Sequence, residues 1–274
     1  MSQDATSEAL GEKRDKLAAM DAALAAHPGS ILRRRLEDLH RVWHAWAAFS
    51  AELYALLEVC ETHEPTAREL TRNVGDRTVQ QNTIRALDKA VIAYAAGLGA
   101  LIDQTRIVVQ QQPDTWQEQY ERRRAQTVGA LPAALFLAKL RNYVLHYVAA
   151  PWAFYFSYRD GVTDGIVSLT TEDLMRTEWP RPARAFIDAN APQLHLRPLL
   201  QPLVEQERIL TQWVDEHARS EHVAEFHAME ELIAERNLFL TGGVTDGRDW
   251  EEQTRELERE LRRMRSASDA DEER

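Results

Sequence analysis

Between Leu135 and Val148 the chain reads Leu-Phe-Leu-Ala-Lys-Leu-Arg-Asn-Tyr-Val-Leu-His-Tyr-Val. The stretch is nearly all apolar, which predicts a core helix. Its polar exceptions are Lys139, Arg141, Asn142 and His146. Burying such groups without partners costs several kcal/mol, so they either find partners in the interior or line a site. Their chemistry is specific. A histidine titrates near physiological pH and can accept a proton. An arginine can hold a phosphate and stabilise charge that develops in a transition state.

Arg141-Asn142-Tyr143-Val144-Leu145-His146 matches the R-N-x3-H form of the R-x4–6-H motif, and here the sequence resembles the HEPN domains. Leu140-Arg141-Asn142-Tyr143, His146-Tyr147, Pro151 and the segment that follows are similar to bacterial HEPN-like proteins. The likeness extends over about residues 30 to 240, and only the motif helix is specific. The loose motif also occurs where Arg33, Arg34 and Arg35 precede His40. Requiring asparagine after the arginine and a four-residue gap lowers the chance expectation to roughly 0.02.

The resemblance implies a helical bundle and a metal-independent ribonuclease of toxin–antitoxin or phage-defence type. In that role His146 takes the proton of a ribose 2′-hydroxyl. Arg141 holds the phosphate, and Asn142 orients the imidazole or binds substrate. The product is a 2′,3′-cyclic phosphate, and neither metal nor cofactor is implied. HEPN nucleases build the site from two copies, so the expected partners are RNA, a second copy of the chain and a regulatory protein. Lys139, Arg122, Arg123, Arg124 and Tyr147 are the expected RNA-binding residues.

Helix geometry leaves an alternative open. Arg141 and His146 differ by about 140° around the helix, whereas Lys139, Asn142 and His146 fall within about 60°. Either a second protomer completes the site, or Arg141 pairs with a buried acid such as Asp103 or Glu52 and His146 packs in the core. The second case describes a non-catalytic helical interaction or RNA-binding protein.

The elements that position the motif are legible from periodicity. Residues 1–12 are expected to form a disordered tail, 13–240 a single helical-bundle domain, and 241–274 a charged, partly helical C-terminal tail. Helices are predicted over about 13–26, 30–61, 82–110, 115–127, 132–148 and from 198 or 199 to 238. Ser30 is the expected N-cap of the second. In the third, Ala93, Ala95, Ala96, Gly97, Gly99 and Ala100 permit close helix approach. Two β-rich runs around Arg159–Gly165 predict a hairpin over about 154–169. The pattern therefore gives an all-α fold class, a helical bundle with one small β-hairpin insertion after the motif helix, and the resemblance implies that the bundle is HEPN-like.

Composition bounds the rest. The chain has 274 residues, 44% hydrophobic and 28% charged, ordinary globular values. No apolar run approaches about 18 residues, so no membrane span is expected. With a polar N-terminus this favours the cytoplasm. A net charge of -11 argues against a general nucleic-acid coat protein. From Gln104 to Tyr147, however, six basic residues face three acidic ones, usually the sign of a solvated helix face.

The lone Cys60 reads as a small buried hydrophobe. Glu37, His40 and His44 have the spacing of helical metal ligands but lack the second Glu-x-x-His of a di-iron bundle. His217, His222 and His227 step about 140° each and read as surface residues. The aromatics Trp152, Phe154, Tyr155, Phe156 and Tyr158 are expected to pack on the bundle.

Overall fold

The computed structural model describes residues 2–71, 77–146, 149–159 and 162–241. The side chains of 2–10, 145–146, 158–159 and 162–164 lie outside that description. Tyr147 and the tail beyond Thr241 therefore fall outside the described residues. The protein is mostly α-helical, with ten α-helices and one small antiparallel sheet among the described residues. Contacts divide it into two compact units, residues 1–31 with 224–274, and residues 32–223.

In the first unit, α1 (Ser2–Ala26) begins inside the stretch expected to be a tail. Arg236 of α10 (Val223–Leu240) pairs with Asp21, and Lys16 lies 5.0 Å over the ring of Phe239. Helix α2 (Pro28–Thr62) starts two residues before the expected cap. The His27 Nδ1 accepts the Gly29 N–H at 3.1 Å. Ser30 lies inside the helix, with a buried hydroxyl that makes no hydrogen bond.

The second unit holds the core and the motif. Along α2, Leu32, Leu36, Leu39, Trp46, Leu53 and Leu57 are buried at helical spacing. The polar connection after α2 contains α3 (Glu64–Leu70). Helix α4 (Thr78–Val109) crosses α2 closely at Gly97, where a Cβ would stand 3.0 Å from the Phe49 ring. Pro113 ends the turn after α4, and α5 (Asp114–Gln126) follows. The motif helix α6 is Ala134–His146, starting two residues after Pro132. It packs mainly on α4 and on α8 (Arg181–Ala189).

The hairpin forms as strands β1 (Trp152–Arg159) and β2 (Val162–Thr170), paired Trp152↔Leu169 through Arg159↔Val162. A third strand, β3 (Gln193–His195), pairs with the other edge of β2. At three residues it is too short to leave a period-2 signal. It accounts for the run Val167, Ser168 and Leu169 being buried together, since β2 is the central strand. Helix α7 (Thr171–Leu174) follows β2. The single long C-terminal helix of the sequence reading divides at His222 into α9 (Arg197–Glu221) and α10.

Candidate functional site

One face of α6 is core. Phe136, Leu137, Leu140 and Tyr143 are buried, and Phe136 stacks near Trp179 and Phe186 at 5.4 and 5.7 Å. Tyr143 lies 5.8 Å from the same Trp179, and burial pushes its phenol up from its ordinary value. The polar residues occupy the remaining arc. Asn142 is exposed and Lys139 half-buried. His146 is the last residue of α6, and its side chain is not described.

Arg141 leans the other way, onto α4. Its guanidinium lies across Gly99, where an added Cβ would come within 2.7 Å of the Arg141 Nη1. It stands 3.9 Å from the Asp103 carboxylate, and the arginine side chain remains 42% exposed. Asp103 is shared, since Arg106 reaches it at 3.1 Å. So Arg141 is neither a fully buried ion pair nor an unattached surface residue. Gly99 makes its position available, and α6 packs on α4, in line with the close helix approach that the small residues of α4 permit. The observed partner is Asp103, itself 55% exposed, and not Glu52, the other acid considered.

The arginines of α5 have three different settings. Arg122 is exposed, its Nε donating weakly to the Glu118 carbonyl at 3.4 Å. Arg123 is half-buried, with an Nε that makes no hydrogen bond. Arg124 is held in a fork by Glu121 at 2.8 and 3.0 Å, which neutralises much of its charge. They do not form one continuous anion-binding row.

Other sequence candidates resolve into structural roles. His40 pairs with Asp215 of α9 at 3.3 Å. His217 and His222 are half-buried rather than surface residues. They hydrogen-bond Gln119 at 3.0 Å and Gln112 at 2.9 Å, linking α9 to α5 and its preceding turn. His217 also stacks on Trp213 at 4.4 Å. Cys60 is buried, and desolvation with the nearby Glu61 carboxylate pushes its thiol up to about 11. Such a thiol is inert at neutral pH. Trp152 donates its Nε1–H to Asp88 at 2.8 Å, whereas Tyr155 is 54% exposed and does not pack as expected.

Two constellations escape sequence reasoning. The first is Glu61 at the end of α2, whose side chain is 1% exposed. Its carboxylate receives His195 at 2.7 Å, Arg197 at 2.5 Å and the Val167 backbone N–H at 3.0 Å. Arg197 also lies 5.6 Å over the Tyr54 ring. Gly165 completes the contact, because a Cβ there would stand 2.5 Å from the Glu61 carbonyl oxygen. This carboxylate fastens β2, β3 and α9 to α2. No spacing signal links residues more than a hundred positions apart.

The second is Glu207 on α9, 7% exposed on the wall of a cavity of about 520 Å³. Burial raises its carboxyl to about 7, opposed in part by Arg124.

Compared with protein-family models, curated proteins and solved structures, the chain matches none. No helix among the described residues is long and apolar enough to cross a membrane.

Proposed function

We propose that the protein is a HEPN-type, metal-independent endoribonuclease acting in the cytoplasm as a homodimer, in the manner of a toxin or phage-defence effector. The observation that supports this best is the accessibility of Arg141 and Asn142 on an otherwise core helix. Asn142 is exposed, and Arg141 keeps 42% of its side chain accessible with one loose carboxylate contact. In this reading His146 accepts the 2′-hydroxyl proton, Arg141 stabilises the charge on the phosphate, and Asn142 orients the imidazole or the substrate. The arc of about 140° between Arg141 and His146 is bridged by contributions from two protomers. Lys139, Arg122 and Tyr147 contact the RNA backbone and bases, with Arg123 and Arg124 beside them.

A second reading has its own observation. The seating of Arg141 on Gly99 beside Asp103 gives the arginine a structural partner, as a non-catalytic interaction protein, regulated by or regulating another protein, would require.

Purified full-length protein, incubated in EDTA with tRNA and with a generic single-stranded RNA, separates the two. The nuclease reading expects cleavage to 2′,3′-cyclic ends. It expects His146→Ala and Arg141→Ala each to lower the rate by about 100-fold or more, while circular dichroism and sedimentation stay unchanged. Variants that lose their fold, or that cleave as fast as the parent, favour the interaction protein.

A further inference from the structure

The cavity beside Glu207 lies wholly within the second unit, between α4, α5, α6 and α9. Its size is that of a small-molecule site, which typically spans about 300–1,000 Å³ and is mostly apolar with a few placed polar groups. Leu98, Ile102, Leu135, Ala138, Leu203 and Leu210 supply apolar wall. Glu207, Tyr120, Thr105 and Arg124, the last already paired with Glu121, supply the polar groups.

Glu207 is unusual for such a position. It is 7% exposed, and among the described residues no side chain or backbone group donates a hydrogen bond to it. Buried carboxylates are ordinarily paired. Thr105, on the same wall, gives its hydroxyl to the Leu101 carbonyl and is not a partner. The charged and titratable groups facing Glu207 are Tyr94 on α4 and Tyr120 and Arg124 on α5. Arg106 and Glu121 act on Tyr120. Burial and the Glu207 charge push both tyrosines above their ordinary value, so neither ionises near neutrality. Arg124 is already held by Glu121. The part of α6 that lines the cavity contributes only apolar residues.

We infer that this cavity binds a small apolar cation, an alkyl- or arylalkylammonium whose charged head meets Glu207 and whose apolar body fills the space between α4, α6 and α9. An ammonium supplies the donors that the carboxylate lacks, and a charge-assisted hydrogen bond is among the stronger polar contacts. A carboxylic ligand would instead set two acids side by side. The inference is independent of any nuclease activity.

Isothermal titration calorimetry on the full chain with 4-phenylbutylamine, 4-phenylbutan-1-ol and 4-phenylbutyrate tests it. The amine is expected to bind at least about tenfold more tightly than the alcohol, and the carboxylate most weakly. Glu207→Gln should erase the margin of amine over alcohol while leaving alcohol binding in place. Ala138→Phe, which fills the space from the α6 side, should weaken both. Amine affinity should rise roughly tenfold from pH 6 to pH 8 as Glu207 gives up its proton. Alcohol binding as tight as the amine, a margin that persists in Glu207→Gln, or no amine binding at millimolar concentration would each overturn the inference.

Discussion

A carboxylate with almost no access to water helps to join the sheet to the bundle. Glu61 has three partners drawn from β2, β3 and the start of α9. Removing a buried ion-pair partner leaves the rest uncompensated, and the buried Val167 N–H would lose its acceptor. Arg197 and His195 retain side-chain exposures of 24% and 35%, so water recovers part of the loss. Glu61→Ala should therefore lower unfolding free energy by about 2–4 kcal/mol, read from the urea midpoint at unchanged m-value. A loss below about 0.5 kcal/mol would show that these contacts hold nothing together.

Between elements, the α4–α6 contact is where helix packing and proposed chemistry meet. Gly99 lets the Arg141 side chain lie against α4, and a methyl group there would meet the guanidinium and its Cδ at 2.7 Å. The obstacle is a flexible side chain, not backbone. Alanine also favours helix over glycine by about 1 kcal/mol. Gly99→Ala should thus unfold within about 1 kcal/mol of the parent while displacing Arg141 from Asp103. On the nuclease reading it lowers RNA cleavage by about tenfold or more without loss of fold, measured by initial rates beside a urea titration. Unchanged rates with the arginine displaced would remove Arg141 from the catalytic site.

For the molecule as a whole, the clearest pH signature comes from Glu207. Its folded-state value of about 7 lies above the ordinary 4.5 because burial disfavours the charged form. The native state then holds a proton that the unfolded chain releases. Stability falls as pH rises from about 4.5 through about 7, and the loss is complete above that. Relative to Glu207→Gln, the parent should lose roughly 2–3 kcal/mol between pH 5 and pH 8, followed by urea unfolding across the range. Parallel profiles would mean that the carboxyl is better solvated than its surroundings imply.

Periodicity alone identified the long helices, because apolar residues on one helical face recur every three to four positions wherever that face is buried. Leu32 to Leu57, the small residues of α4, and the apolar face of α6 all illustrate it. Turn residues also marked the hairpin. Residue types and the motif spacing singled out Arg141, Asn142 and His146 as a candidate constellation. Only the tertiary structure could show that Arg141 leans onto Gly99 and Asp103, that His40, His217 and His222 are held by Asp215, Gln119 and Gln112, and that β3 joins the sheet. Glu61 and Glu207 were invisible in the sequence for the same reason. A carboxylate's role depends on which distant groups exclude its water and which replace it, and no local spacing encodes that.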